Sequence, residues 1–269
     1  MRFLILLIIM MRVAIPTTAA AVPRSIMTSS AAATSENGSG GTKIATAQEE
    51  VKRIWRRANA VCFDIDSTVC QDEGIDELAA YLGVGEAVAN VTRNAMSGNG
   101  RFREALAARL QVMKPSADQL EQFINITKPK LTPGIKELVA LSGGFRRLIV
   151  PVAELLGVEK SHIFANEILF DKNGKYAGFD TTELTSDSGS KDTGKPAVIS
   201  LLKKKFGYKT IVMVGDGATD AEASPPADAF IGFGGNVIRE AVKQRSNWYV
   251  TDFDVLRKEL DHIDSSDSE

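Results

Sequence analysis

The chain has 269 residues, 44% apolar and 25% charged, an ordinary globular composition that allows one or two domains with a real core. With 32 basic against 34 acidic side chains its net charge is -2, which gives no support to an electrostatic nucleic-acid binder. Two cysteines cannot build a disulfide scaffold and match neither paired CxxC zinc spacing nor a CxxCH haem site, and the two histidines, His162 and His262, stand far apart.

Residues 1–44 read as a leader with a flexible linker. Arg2 is followed by nine apolar residues, Phe3 to Met11, then by Ala, Ser and Thr, and the first acid is Glu36. Nine apolar residues are too few for a stable membrane span. Three uses stay open: a secretory signal cleaved near Ala19-Ala20-Ala21, an organellar transit peptide over residues 1–34, or a start at Met27 that leaves a cytoplasmic protein. Ser35 to Thr42 (SENGSGGT) is the linker.

Beyond it, Ala60–Asp64, Ile211–Val214, Ala229–Gly232 and Trp248–Val250 are short strand-like runs. Pro196–Phe206 and Gly235–Val242 have helical spacing between or beside them. The alternation predicts an α/β fold, a Rossmann-like three-layer parallel sheet, with residues 45–73 and 129–262 as its core. Residues 74–128 carry four helix-like stretches with no strand between them and predict a small helical cap. ILF and KYAGF flank Asp171 to Gly174, so 168–180 predicts a hairpin.

The chemistry sits in two acidic motifs. Asp64 and Asp66 end the first strand of the core, where open α/β sheets place ligands, and strand alternation would set both carboxylates on one side. Two such acids repel each other and call for a divalent cation; hard oxygen ligands favour Mg²⁺. The bland alternative is a strand-ending turn with solvated carboxylates. The second motif, Gly215-Asp216-Gly217-Ala218-Thr219-Asp220, follows the apolar strand Ile211–Val214. Alone it could merely cap a helix, but two parallel strands ending in acids can build one metal site from Asp64, Asp66 and Asp216. Ser142 and Gly143 of SGGFR offer a hydroxyl and backbone N–H groups as a phosphate cradle, joined by a helix starting near Phe145. Thr68 could add a further hydroxyl. Gly189 to Lys195 fits the first part of a P-loop, yet Pro196 stands where Ser or Thr would reach the metal, and no strand feeds into Gly189. A P-loop kinase is therefore a distant alternative.

FDIDSTVCQDEGIDELA, LTPGI, SGGFR, GYKTIVMVGDGATDAEA and PPADAFIGFGGNVIREAVK together resemble the haloacid dehalogenase-like phosphatases, over roughly residues 50–260. The resemblance implies Mg²⁺-dependent hydrolysis of O-phospho-L-serine through an aspartyl-phosphate, the last step of serine biosynthesis, by a cytoplasmic enzyme that forms a homodimer. In that reading Asp64 is the nucleophile and Asp66 the general acid and base. The Asp64 carboxylate, the Asp66 carbonyl and Asp216 hold the metal, with Asp220 an acceptor behind them. Lys195 neutralises the phosphoryl group; Lys191 competes for that role, because the loop carries extra residues. Glu73, Met96, Ser97, Arg109 and Thr219 contact the substrate, Glu73 and Arg109 taking its ammonium and carboxylate. Ser97 departs from the family's glycine. The alternatives are another small phosphomonoester, or a noncatalytic or impaired variant.

One departure is larger. The family has a helix and then a strand between LTPGI and SGGFR, whereas here Lys136 to Leu141 alone separates them. Six residues span about 20 Å extended or 9 Å helical and cannot supply both elements. The chain reads as a splice variant or a misassembled gene model, expected to fold poorly or act weakly.

Overall fold

Ala60–Phe63, a run without a polar side chain, forms β2 and is buried along its whole length. Alternation sends Val61 and Phe63 into one apolar cluster and Ala60 and Cys62 into another, so the strand requires cover on both faces. In the computed structural model, which describes residues 8–12, 46–96, 102–142, 156, 163–188 and 192–261, that cover is present. Strands β6 (Ile211–Gly215), β7 (Ala229–Phe233) and β8 (Tyr249–Val250) follow β2 in parallel, in that spatial order.

On one face lie α1 (Ala47–Arg56), α6 (Ile135–Ser142) and α10 (Phe253–Asp261). There the Trp55 indole donates to the Leu256 carbonyl at 3.0 Å and Phe253 stacks on Phe233 at 4.3 Å between ring centres. On the other lie α7 (Gly194–Phe206), α8 (Ala218–Ala221) and α9 (Glu240–Arg245), packed through Val198, Ile199, Leu202, Ala221 and Val242. The helix expected over Gly235–Val242 begins only at Glu240, and its first residues form the loop that carries Asn236 and Arg239.

One feature departs from the expected all-parallel sheet, and a second follows from the short spacing before Ser142. Strand β1 (Ile8–Arg12) runs antiparallel between β2 and β3 (Ile163–Phe164), with Met11 opposite Val61 and Ile9 opposite both Phe63 and Ile163. Part of the segment read as leader thus pairs along the edge of β2, whose N–H and C=O groups would otherwise be open. Helix α6 takes up all of Lys136–Leu141 and ends at Ser142, so no strand precedes Ser142, and β1 stands in the sheet position between β2 and β3. The sequence is too short there for a helix and a strand, and the helical phase from Ile135 continues.

Four helices form the cap: α2 (Gly74–Tyr81), α3 (Gly85–Met96), α4 (Phe102–Met113) and α5 (Ala117–Ile126). Their apolar faces meet at Leu78, Val88, Leu106, Leu110, Leu120 and Phe123. The hairpin β4 (Ile168–Phe170) and β5 (Tyr176–Phe179) adds Ile168 to this cluster. Its turn is set by Asp171, whose carboxylate accepts the N–H groups of Asn173 and Lys175 at 2.8 and 2.9 Å.

Candidate active site

The Asp64 N–H donates to the Val214 carbonyl at 2.9 Å, extending the ladder one residue past β2, so its carboxylate stands where β2 and β6 both end. The chain then leaves the strand in a turn, Ile65–Val69, closed by the Cys70 N–H on the Ile65 carbonyl at 2.8 Å, with Ser67 at φ 57°. This turn, rather than strand alternation, orients Asp66, whose carboxylate accepts the Gly74 N–H at 3.1 Å where α2 starts. Thr132 donates to the Thr68 carbonyl at 2.6 Å, and the Asn236 amide donates to the Ser67 carbonyl at 3.1 Å and to Thr132 Oγ1 at 2.7 Å. Both brace the turn from outside.

The second acidic loop closes on the first. A Cβ on Gly215 would stand 2.2 Å from the Asp220 carboxyl carbon, so only glycine lets Asp220 fold back against the end of β6. Asp220 also accepts the Gly217 N–H at 2.8 Å. Asp216 accepts from Thr68 Oγ1 at 3.1 Å and from Arg239 Nε at 2.8 Å. Carboxylate oxygens of Asp64, Asp216 and Asp220 lie within 4.8 Å of one another. Lys195, 1% exposed at the start of α7, places its ammonium 3.0 Å from Asp64 and also pairs with Asp220.

These contacts set the electrostatics. Burial, then the charge of Asp220, holds the Asp64 carboxyl above the usual carboxylate range, with Lys195 opposing. Burial and the neighbouring Glu73 push Asp66 up to about 7, a range in which a carboxyl can both give and take a proton near neutral pH. Burial pulls on the Lys195 ammonium, but Asp220 and Asp64 outweigh it and keep the charge in place. The donor set fits a hard divalent cation: three clustered carboxylates offer only oxygen, and Asp64 carries the cost of their crowding until positive charge is added.

Toward the cap, Glu73 accepts from Ser67 Oγ at 3.2 Å and from Arg239 Nη2 at 3.1 Å. Arg109 lies partly buried on α4; burial lowers its proton affinity, while the charges of Asp76, Glu73 and Asp66 hold it up. Thr219 sits in α8, its hydroxyl 3.6 Å from where a Gly217 Cβ would stand. Met96 closes α3 and Ser142 closes α6. Ser142 therefore ends a helix, where the sequence reading set it in a loop that begins one. Ser97, Gly143, Lys191 and the helix expected near Phe145 lie outside the described residues.

The structure thus brings Asp64, Asp66, Glu73, Lys195 and Asp216 together with Arg109 nearby. Asp220, read as an acceptor behind the metal, joins the cluster itself. The Thr68 hydroxyl donates to Asp216. Arg239, bridging Asp216 and Glu73, was not singled out by the sequence reading. Its only cue is topological: it lies in the loop after β7, the third parallel strand whose carboxyl end opens on this edge.

Residues 58–228 match the family model for haloacid dehalogenase-like hydrolases. The chain is 50% identical over 226 residues to phosphoserine phosphatase of Homo sapiens, covering 80% of this chain and 99% of that protein. It is 47% identical over 226 residues to the chloroplastic phosphoserine phosphatase of Arabidopsis thaliana, covering 79% and 75%. Among solved structures it is similar to a phospho-aspartyl intermediate analogue of phosphoserine phosphatase, with a TM-score of 0.56 and 25% identity over 74% of this chain and 96% of that one.

Proposed function

This chain belongs to the haloacid dehalogenase-like hydrolases, in the branch of the phosphoserine phosphatases, and on that premise we propose that it hydrolyses O-phospho-L-serine to L-serine and phosphate, the closing step of serine biosynthesis. The observation that carries this reading is the Asp64 carboxylate at the end of β2, held 3.0 Å from a buried ammonium and inside a cluster of three acids.

A phosphate monoester resists an anionic nucleophile, so the site must supply positive charge, in-line geometry and a proton for the leaving oxygen. Asp64 attacks phosphorus and the bond to the serine oxygen breaks; Asp66 gives that oxygen a proton, leaving an aspartyl-phosphate and free serine. Asp66, now a carboxylate, takes a proton from water, whose oxygen displaces Asp64 and releases phosphate. Lys195 balances the charge of the transferring group. Mg²⁺ is the metal we assign, held by the Asp64 carboxylate, the Asp66 carbonyl and Asp216; when bound it supplies charge that lets the first carboxylate approach an anion. Glu73 and Arg109 read the ammonium and carboxylate, Met96, Ser97 and Thr219 line the pocket, and Ser142 and Gly143 hold phosphate.

A second reading, an impaired enzyme, is favoured by the helix that runs into Ser142 with no strand behind it. Among the described residues no helix is long and apolar enough to cross a membrane. We assign the catalytic body to the cytoplasm as a homodimer, with an organellar or secretory address in residues 1–34 as the alternative.

The test is phosphate release from phosphoserine with Mg²⁺, in the full chain and in Asp64→Asn. Turnover by the parent and none by the variant supports the reading. Equal release from both would overturn it. A form with about ten apolar residues inserted before Ser142 separates full from impaired activity.

A further inference from the structure

Helix α4 carries two arginines six residues apart, about 9 Å along its axis. Arg109 feels the charges of Asp76, Glu73 and Asp66. Arg103 lies in the first turn, where the helix dipole disfavours a cation, so its own contacts must hold it. They do: Nη2 donates to Ser186 Oγ at 3.0 Å, Nε to the Ser186 carbonyl at 3.3 Å, and Nε lies 3.4 Å from the Asp187 carboxylate.

The segment it grips belongs to the core. Ser186 Oγ donates to the Thr181 carbonyl at 2.9 Å, and Thr185 donates to buried Asn166 at 3.0 Å. Leu184 packs against the apolar cluster of α7 and Cys62. Three residues on, the main chain meets the start of α7: the Asp187 carbonyl lies 2.9 Å from where a Cβ on Gly194 would stand, and Gly194, at φ 68°, allows this approach. The next residue is Lys195, seated on Asp64 and Asp220. One side chain therefore ties the helix bearing Arg109 to the backbone that seats Lys195.

We propose that Arg103 is a positioning residue that clasps the cap to the segment behind Lys195, fixing the span between the group that reads a substrate's carboxylate and the group that reads its phosphate. This rests on the phosphoserine reading above. Loss of the clasp leaves the acids and Lys195 in place but lets α4 shift, so recognition of the carboxylate suffers and chemistry at phosphorus does not.

The experiment compares the full-length parent with Arg103→Ala, Arg103→Gln and Arg103→Lys on O-phosphoserine and on O-phosphoethanolamine, which has the ammonium but no carboxylate. The clasp is part-exposed, so the alanine variant is expected to raise KM for phosphoserine about five- to tenfold with kcat within about twofold. Its KM for phosphoethanolamine stays unchanged, the glutamine variant behaves likewise, and lysine recovers part of the loss. Parallel rises for both substrates, or no rise for either, overturn the proposal. Amide hydrogen exchange supplies the readout independent of turnover: Ser186, Asp187 and the first turn of α4 exchange faster in each variant that folds, and unchanged exchange refutes the clasp. A parent that ignores phosphoserine yet shows faster exchange on substitution would sink the substrate assignment alone.

Discussion

Replacing Asp220 tests how the buried charges are balanced. Asp220 and Lys195 are 0% and 1% exposed, so neither can recover hydration if its partner disappears. Removing one member of a buried pair typically costs about 3–5 kcal/mol, because the other charge is stranded. Lys195 keeps Asp64 at 3.0 Å, which places Asp220→Asn near the lower end, about 3 kcal/mol. Asp220→Ala also strips the acceptor from the Gly217 N–H and adds about 1 kcal/mol. Urea unfolding of the metal-free chain, followed by circular dichroism, reads both from the shift of midpoint at constant slope. The double variant Asp220→Asn with Lys195→Met should cost less than the two single losses added, by about 2 kcal/mol or more, since no stranded ammonium remains. Single variants that cost under about 1 kcal/mol, or strict additivity, would refute the idea that these charges depend on each other.

Removal of residues 1–44 deletes β1, exposes the edge of β2 and cuts the hydrogen-bonded link to β3; the shortened chain should unfold at clearly lower urea or aggregate, and an unchanged midpoint would show that the strand is dispensable. Gly215→Ala drives a methyl group into the Asp220 carboxyl and should cut turnover more than about a hundredfold, checked by steady-state kinetics at saturating Mg²⁺. Both cysteines are buried, and burial holds both thiols well above their usual range, Cys70 at about 12. A disulfide reagent should therefore leave the native chain almost untouched and titrate two thiols once urea unfolds it.

What could be read in advance follows from the range of the interactions. The strands β2, β6 and β7 were legible because a strand covered on both faces must be apolar throughout, a rule that acts within four or five residues. The pairing of Asp64 with Asp216 was legible for a related reason: parallel neighbours end at the same edge, so two acidic loops after two apolar strands must meet. Arg239 and Thr68 escaped because their partners lie far off in sequence, and nothing local marks an arginine that spans Asp216 and Glu73 from one that faces water. The use of Ile8–Arg12 escaped for the opposite cause. The segment's own composition points plainly to a leader, and only the six-residue spacing before Ser142, too short to supply a strand, reveals that the sheet has a place to fill. A local pattern states what a segment can do, whereas a vacancy elsewhere in the fold decides what it does. Ile8–Arg12 therefore pairs along β2, the same strand that carries Asp64 to the end of the sheet.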